Sequence, residues 1–126
     1  MTPPGADPAT AVSHVFAGIA TADFPAALAW YERFFERPPD RRPHDAEAVW
    51  GLADGGLVYV VADAARAGRG LVTLIVDDLD AWCARLTRLG LQPGPVERPA
   101  GGVRKSSLLD LDGNQIGLGQ VSQPDG

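Results

Sequence analysis

Two stretches of the chain share the same order of apolar and polar spacing. Apolar side chains alternate with others over 14–20 and again over 71–77, which predicts two strands that each turn one face to a core. Each stretch is followed by apolar residues at three- and four-residue spacing, over 24–35 and 79–89, which predicts two amphipathic helices. An aspartate suited to capping the free amide groups precedes each helix, namely Asp23 and Asp78.

The second half of each repeat predicts a β-hairpin. Asp54-Gly-Gly lies over Asp112-Gly-Asn in the repeat, and Asp-Gly between alternating runs is typical of hairpin turns. The hairpin strands are expected at 48–53, 57–62, 103–111 and 115–121. Between helix and hairpin, each repeat has a Pro-rich or charged stretch that can hold one short irregular strand, at 37–45 and 92–102. We therefore expect a single domain over 1–126, with modules at about 14–62 and 70–121 and a linker at 63–69.

Composition narrows the class of protein. The chain has 126 residues, 45% of them hydrophobic, and no apolar run approaches the roughly 18 residues that span a bilayer. The ends, 1–10 and 122–126, are expected to be frayed tails, and the first lacks the basic region and apolar core of a signal peptide.

The single cysteine, Cys83, excludes an internal disulfide and fits the reducing cytoplasm. A net charge of −5 without a basic stripe argues against nucleic acid and mildly favours a cationic small molecule, although solubility alone explains an acidic chain.

Two motifs resemble the vicinal oxygen chelate superfamily, which includes glyoxalase I, bleomycin-resistance protein and extradiol dioxygenase. Ala20-Thr-Ala-Asp23-Phe-Pro-Ala-Ala-Leu-Ala-Trp30-Tyr31 resembles its opening strand-to-helix passage, and Asp110-Leu-Asp-Gly-Asn-Gln-Ile116 resembles its closing hairpin. The resemblance covers 15–121. It implies an α+β fold in which two tandem βαβββ modules form a half-open mixed-sheet barrel, with helices outside and a ligand cavity on the concave face.

The same resemblance implies four metal-ligand positions, and this chain departs from the family there. The positions fall on Phe16, Tyr59, Leu71 and Gly117. A divalent ion needs imidazole, carboxylate or thiolate donors, and phenylalanine, leucine and glycine carry none. A neutral tyrosine alone is a poor site. We therefore expect the metal-ligand-free branch of the superfamily, with no metal and no other cofactor.

Strand alternation predicts what lines the cavity instead. The expected concave set consists of Phe16, Gly18, Ala20, Leu57, Tyr59, Val61, Leu71, Thr73, Ile75, Gln115, Gly117 and Gly119. This surface is apolar and suits a small organic ligand. Its glycines either mark a close approach of the ligand or let the strands curl, and the sequence leaves both interpretations open.

Two further side chains are candidates for the cavity wall. Trp50 is predicted as a stacking wall, with a place in the core as the alternative. One of Arg104 and Lys105 must point toward the cavity, where a cation can bind a carboxylate or enolate oxygen, with a solvated place at the rim as the alternative. The predicted ligand-binding residues are thus Phe16, Trp50, Tyr59, Leu71, Thr73, Arg104, Gln115 and Gly117.

Three functions compete. The first is a metal-independent binding protein of the glyoxalase/bleomycin-resistance type that sequesters an organic ligand and works as a homodimer, with no nucleic-acid or membrane partner. The second is a metal-independent lyase or isomerase, in which Arg104 or Lys105 acts with Tyr59 or with one of two histidines, His14 and His44, although a loop histidine is more often simply solvated. The third, a metal-dependent glyoxalase or dioxygenase, conflicts with the residues at the ligand positions. The sequence assigns no catalytic residue and no particular ligand.

Overall fold

The computed structural model describes residues 8–98 and 102–121. The predicted tails lie mostly outside this range, although Pro8–Thr10 form a 3-10 turn. The elements in chain order are β1 (Val15–Thr21), α1 (Phe24–Phe35), β2 (Arg41–His44), β3 (Glu47–Ala53), β4 (Gly56–Ala62), β5 (Leu71–Ile75), α2 (Leu79–Arg88), β6 (Val103–Leu109) and β7 (Gln115–Val121).

The strands form two mixed sheets, one for each repeat. The first has the order β1-β4-β3-β2 and the second the order β5-β7-β6, and in both the first strand of the repeat is parallel to the last. The hairpin strands pair antiparallel, as the Asp-Gly turns predict. The expected α+β fold of two tandem modules is confirmed. The modules differ in one respect, since the described part of 92–102 contributes only a bridge between Glu97 and Lys105 where the first module has β2.

The helices begin and end where the sequence predicts. Asp23 accepts a hydrogen bond from the Ala26 amide at 3.1 Å, and Asp78 accepts one from the Ala81 amide at 3.0 Å. Past the end of α2, Gly90 has a φ of 81°, a left-handed conformation that glycine adopts without strain. No helix in the described part of the chain is long and apolar enough to cross a membrane.

One hydrophobic core joins the two modules. Each helix covers one face of its own sheet, and the two helices meet where the rings of Phe34 and Trp82 lie 5.6 Å apart. Tyr31, Phe34, Leu79 and Leu86 are almost fully buried in this core. The opposite face of each sheet carries no helix from residues 8–98 and 102–121, and we call it the concave face.

Candidate functional site

Strand register places the predicted cavity residues on the concave faces. In the first module Phe16 pairs with Leu57 and Gly18 with Tyr59. Paired residues point to the same side of a sheet, and this side is opposite the buried Ile19. In the second module Leu71 pairs with Gln115 and Thr73 with Gly117 on the concave face.

The first concave face holds a cavity of about 330 Å³. Strand residues Gly18, Tyr59 and Val61 form its floor, and the linker residues Arg66 and Arg69 form its wall. The linker was predicted only as a connection, and neither arginine was among the predicted site residues. Their position directly before β5 was the available signal, because the linker has to cross the edge of the first sheet there.

A tyrosine ring explains the glycine in β1. A Cβ atom at Gly18 would lie 2.6 Å from both Cζ and Oη of Tyr59, so any larger residue would displace the ring. The Phe16 ring is the other aromatic neighbour, at 6.3 Å from the Tyr59 ring. Gly117 similarly makes room for Thr73, whose Oγ1 would lie 3.0 Å from an added Cβ. These glycines accommodate side chains of the neighbouring strand, a reason that neither earlier interpretation included.

The second concave face holds a separate cavity of about 470 Å³. The predicted residues Leu71, Thr73, Gln115 and Gly117 line it together with residues from the 92–98 stretch and β6. Leu71 is 72% exposed, which is high for a leucine in a strand. Within one chain, the structure therefore places Tyr59 and the group Leu71, Thr73, Gln115 and Gly117 at two separate open half-cavities. Leu57 and Ile75, also expected to line the predicted cavity, line a different one between the modules.

Trp50 lies in the core and not on a cavity wall. Its register partner is Val58, whose side chain points to the helix side of the sheet. Trp50 is 0% exposed, and its indole Nε1 donates a hydrogen bond to the Arg37 carbonyl at 3.1 Å. The alternative interpretation, a core residue, describes its position. The residue of β3 that pairs with Tyr59 is Val49.

Arg104 also points away from the concave face. Its guanidinium Nη2 donates to Asp80 Oδ1 at 2.7 Å, on the helix side of the second sheet. This hydrogen bond lowers the pKa of the Asp80 carboxyl. Lys105 is the next residue and pairs with Gly119 on the concave face, where it lines the second half-cavity. Of the two cations that the sequence left open, Lys105 is the one that faces the cavity.

The residues at the expected metal positions do not fit a metal. Phe16 and Leu71 offer only carbon atoms, and Gly117 has no side chain. Tyr59 lies at the first half-cavity, whereas Leu71 and Gly117 lie at the second. The residues that the structure describes contain no group of three or more histidine, cysteine, aspartate or glutamate side chains that could hold an ion.

Both histidines have local partners outside the two half-cavities. His14 Nδ1 lies 2.9 Å from Ser13 Oγ, just before β1. His44 Nε2 lies 3.1 Å from Glu47 Oε1 at the β2–β3 turn, and both histidines are exposed.

The closing hairpin fixes the linker beside the first half-cavity. Asn114 is buried, and its Oδ1 accepts hydrogen bonds from the Gly68 amide at 3.1 Å and the Gly70 amide at 2.7 Å. Its Nδ2 donates to the Ala20 carbonyl in β1 at 2.9 Å. The motif that identified the fold therefore also holds the wall of the site.

The same hairpin ties the second module to the first helix. The Tyr31 hydroxyl donates to Asp110 Oδ2 at 2.6 Å, and burial together with this carboxylate raises the pKa of Tyr31 far above its usual range. Asp112 accepts from the Thr21 hydroxyl at 2.6 Å and from the Ala22 amide at 2.9 Å. We call Asp110, Asp112 and Asn114 the hairpin clamp.

A third cavity, of about 560 Å³, lies between the modules, along β1 and β5 and beside the first hairpin turn. No pattern in the sequence predicted it. Its walls are mostly apolar, and they include Ala17, Leu52, Val76 and the Trp82 ring. We call it the junction cavity.

Comparisons with known proteins agree with this architecture. A glyoxalase/bleomycin resistance protein from Catenulispora acidiphila DSM 44928 is 44% identical, with a TM-score of 0.80 over 86% of this chain and 98% of that one. TnmS3, an antibiotic-binding protein from Streptomyces sp. CB03234, is 28% identical, with a TM-score of 0.69 over 90% of this chain and 99% of that one. A bleomycin-binding protein complexed with bleomycin is 20% identical, with a TM-score of 0.71 over 86% of this chain and 98% of that one.

No family model and no curated protein matches the chain. The identity to the Catenulispora protein extends over nearly all of that protein and over both modules here. The chain belongs to the glyoxalase/bleomycin resistance protein family.

Proposed function

We propose that this protein binds a small organic ligand on its concave faces, without a metal and without chemical turnover. The observation that carries the proposal is the chemistry of these faces. They combine the exposed side chains of Phe16 and Leu71 and the half-buried ring of Tyr59 with a few polar groups, and they lack donors where the family would place an ion. Such a surface gains free energy by covering a flat apolar molecule.

Two relatives support a binding role. TnmS3 is described as an antibiotic-binding protein, and another protein of the same fold is complexed with bleomycin. A small molecule of similar kind is the ligand that we propose for this chain.

The open half-cavities favour a homodimer. Phe16 on β1 is 47% exposed, and Leu71 on β5 is 72% exposed, both on the concave faces. Both residues lie on edge strands of their sheets, where unpaired backbone groups and apolar side chains favour association. We propose that the first concave face of one chain closes over the second concave face of its partner, so that two half-cavities form one site.

The alternative role as a lyase or isomerase loses most of its candidate groups. Arg104 is bound to Asp80, and both histidines have partners outside the half-cavities. Tyr59 and Lys105 remain, one in each half-cavity. Incubation with oxo-acid and aromatic compounds in the presence of chelator tests this alternative, and any product that accumulates in proportion to the protein would overturn the binding-only proposal.

Calorimetric titration with a panel of aromatic compounds tests the binding proposal. We expect binding that is unchanged by chelator and weakened about tenfold by Tyr59→Ala. Val12→Ala is the matched control, because Val12 is an exposed apolar residue that precedes β1. Binding that requires an added divalent ion, or that Tyr59→Ala leaves intact, would contradict the proposal.

Two parts of the proposal need other measurements. Light scattering after size exclusion should give the mass of a dimer, and a monomer at micromolar concentration would refute the shared site.

The one cysteine is free, which fits a reducing compartment, and we propose the cytoplasm. Fractionation of cells that express the tagged protein checks that location.

A further inference from the structure

The charges at the first half-cavity are opposite to the charge of the whole chain. The protein has a net charge of −5, yet the ionisable side chains of the linker at this cavity are Asp63, Arg66 and Arg69. Asp63 Oδ2 lies 3.7 Å from Arg66 Nε, so these two charges largely offset each other. The guanidinium of Arg69 is left as the uncompensated charge of the cavity wall.

The backbone on both sides of Arg69 is fixed by one buried group. The amides of Gly68 and Gly70 both donate to Asn114 Oδ1. Gly68 has a φ of +87°, which only glycine adopts readily, and a Cβ at Gly70 would lie 2.8 Å from Asn114 Oδ1. Asn114 is in turn held by Ala20 and Asp110. The linker is therefore anchored at the residues before and after Arg69.

The side chain of Arg69, by contrast, lacks a partner in the part of the chain that the structure describes. Within the described ranges it makes no hydrogen bond and no ion pair, and it lines the cavity together with Tyr59. The Tyr59 hydroxyl is likewise without a hydrogen-bond partner among the described residues. An anion in this cavity could accept from a guanidinium and from a phenol, two donors that suit a carboxylate or phosphate oxygen.

We propose that Arg69 makes this site selective for small organic molecules that carry an anionic group. The inference rests on the binding function proposed above and specifies the ligand class. An anchored backbone reduces the ordering cost of placing the cation, and the apolar floor contacts the rest of the molecule. This selectivity is opposite to the one that the net charge favours, because a ligand responds to the charges nearest to it.

Calorimetry with three probes of one shape tests the inference. The probes are naphthoate, its neutral amide, and naphthylmethylamine, which is a cation at neutral pH. We expect naphthoate to bind at least about tenfold more tightly than the other two, and its affinity to fall as salt is added. Arg69→Gln should abolish this preference and its salt dependence, and Arg69→Lys should restore part of both.

Arg88→Gln is the matched control. Arg88 is exposed in the last turn of α2, so this change removes the same charge without touching the concave face, and the preference should stay intact. If all three probes bind equally, or if Arg69→Gln behaves like Arg88→Gln, the anion selectivity is wrong while the binding function stands. If none of the probes binds, both proposals fail together.

Discussion

The two hairpin turns occupy equivalent places in the repeat but make different contacts. In the second module, Asp110, Asp112 and Asn114 reach across to β1, α1 and the linker. In the first module, Leu52, Asp54 and Gly56 take the equivalent positions of the repeat. Where the hairpin clamp has hydrogen bonds, the first turn borders the junction cavity through Leu52 and Gly56.

The opposing surfaces explain the difference. The clamp meets hydroxyl donors in Thr21 and Tyr31, whereas the repeat places Val76 and Leu86 at the corresponding positions of the second module. Buried carboxylates need donors, and the hydroxyl groups of Thr21 and Tyr31 supply them to the clamp, whereas the side chains of Val76 and Leu86 carry none. The two modules thus share one backbone pattern, although only the second hairpin turn is held to the opposite module by polar contacts.

The largest effect is expected when the clamp is broken by Asn114→Ala. This change leaves the amides of Gly68 and Gly70 and the carbonyl of Ala20 without their partner, and we expect a loss of about 3 kcal/mol in the free energy of unfolding. Urea denaturation measures it.

Gly56→Ala is the control at the equivalent position of the first turn. A Cβ there would lie 3.6 Å from Ala53 Cβ, an ordinary contact, so stability should hardly change. Equal losses in the two variants would remove the distinction between the turns.

A smaller loss is expected from Tyr31→Phe. It removes a buried hydrogen bond to Asp110, which should cost about 1.5 kcal/mol. Since the folded protein raises the pKa of Tyr31, stability should also fall as pH rises above the ordinary tyrosine value of 10.0, where the unfolded chain loses its proton first.

Unfolding measured from neutral to alkaline pH checks both parts of this prediction. The variant should lose less stability than the parent protein over the alkaline range. Tyr59→Phe is the control, since the Tyr59 hydroxyl makes no hydrogen bond within the described residues, and it should match the parent. A parallel decline in all three proteins would contradict the role of Tyr31.

Filling the junction cavity should modestly stabilise the contact between the modules beside the first hairpin turn. Ala17 is partly buried at its wall, and Ala17→Val should add about 1 kcal/mol, because each buried methylene contributes about 0.8 kcal/mol. Thermal unfolding measures the gain. Ala20→Val, on the concave face of the same strand, is the control and should give a smaller gain in stability. If Ala17→Val instead destabilises the protein, the cavity lacks room for the larger side chain.

The smallest effects are expected at two ion pairs near the surface, Arg37–Asp40 in the first module and Arg104–Asp80 in the second. Arg37 Nη1 lies 2.7 Å from Asp40 Oδ1, and Arg104 Nη2 lies 2.7 Å from Asp80 Oδ1. Each arginine lowers the pKa of the aspartate carboxyl that it contacts. A lowered pKa adds stability above the ordinary aspartate value, and this stability is lost as pH falls through the lowered value. Asp40→Asn and Asp80→Asn should therefore differ slightly from the parent at neutral pH and converge with it in acid. Acid titrations followed by circular dichroism measure the stability of each variant against pH. A large loss in either variant at neutral pH would contradict the small contribution expected of its ion pair.

The candidate site shows where alternation predicts a position and where it does not. Phe16, Tyr59, Leu71, Thr73, Gln115 and Gly117 lie on the concave faces as expected, because each follows from the parity of a strand whose buried side is evident. Trp50 and Arg104 lie on the opposite faces of β3 and β6. Both faces of β6 mix polar and apolar residues, so the parity of β6 is set only by its pairing with β7. In β3, by contrast, Ala48, Trp50 and Leu52 form an apolar face, so alternation itself favours the core for Trp50.

The sequence by itself determined the repeat, the capped helices, the hairpin turns and the lack of metal donors, because these depend on neighbouring residues or on side-chain type alone. The tertiary structure decided which residues share a cavity. It brought Asn114 against the glycines around Arg69, residues 44 or more positions apart in the chain, and it left the junction cavity between the modules. Contacts of this kind follow from how two sheets and two helices pack, and no local pattern records that packing.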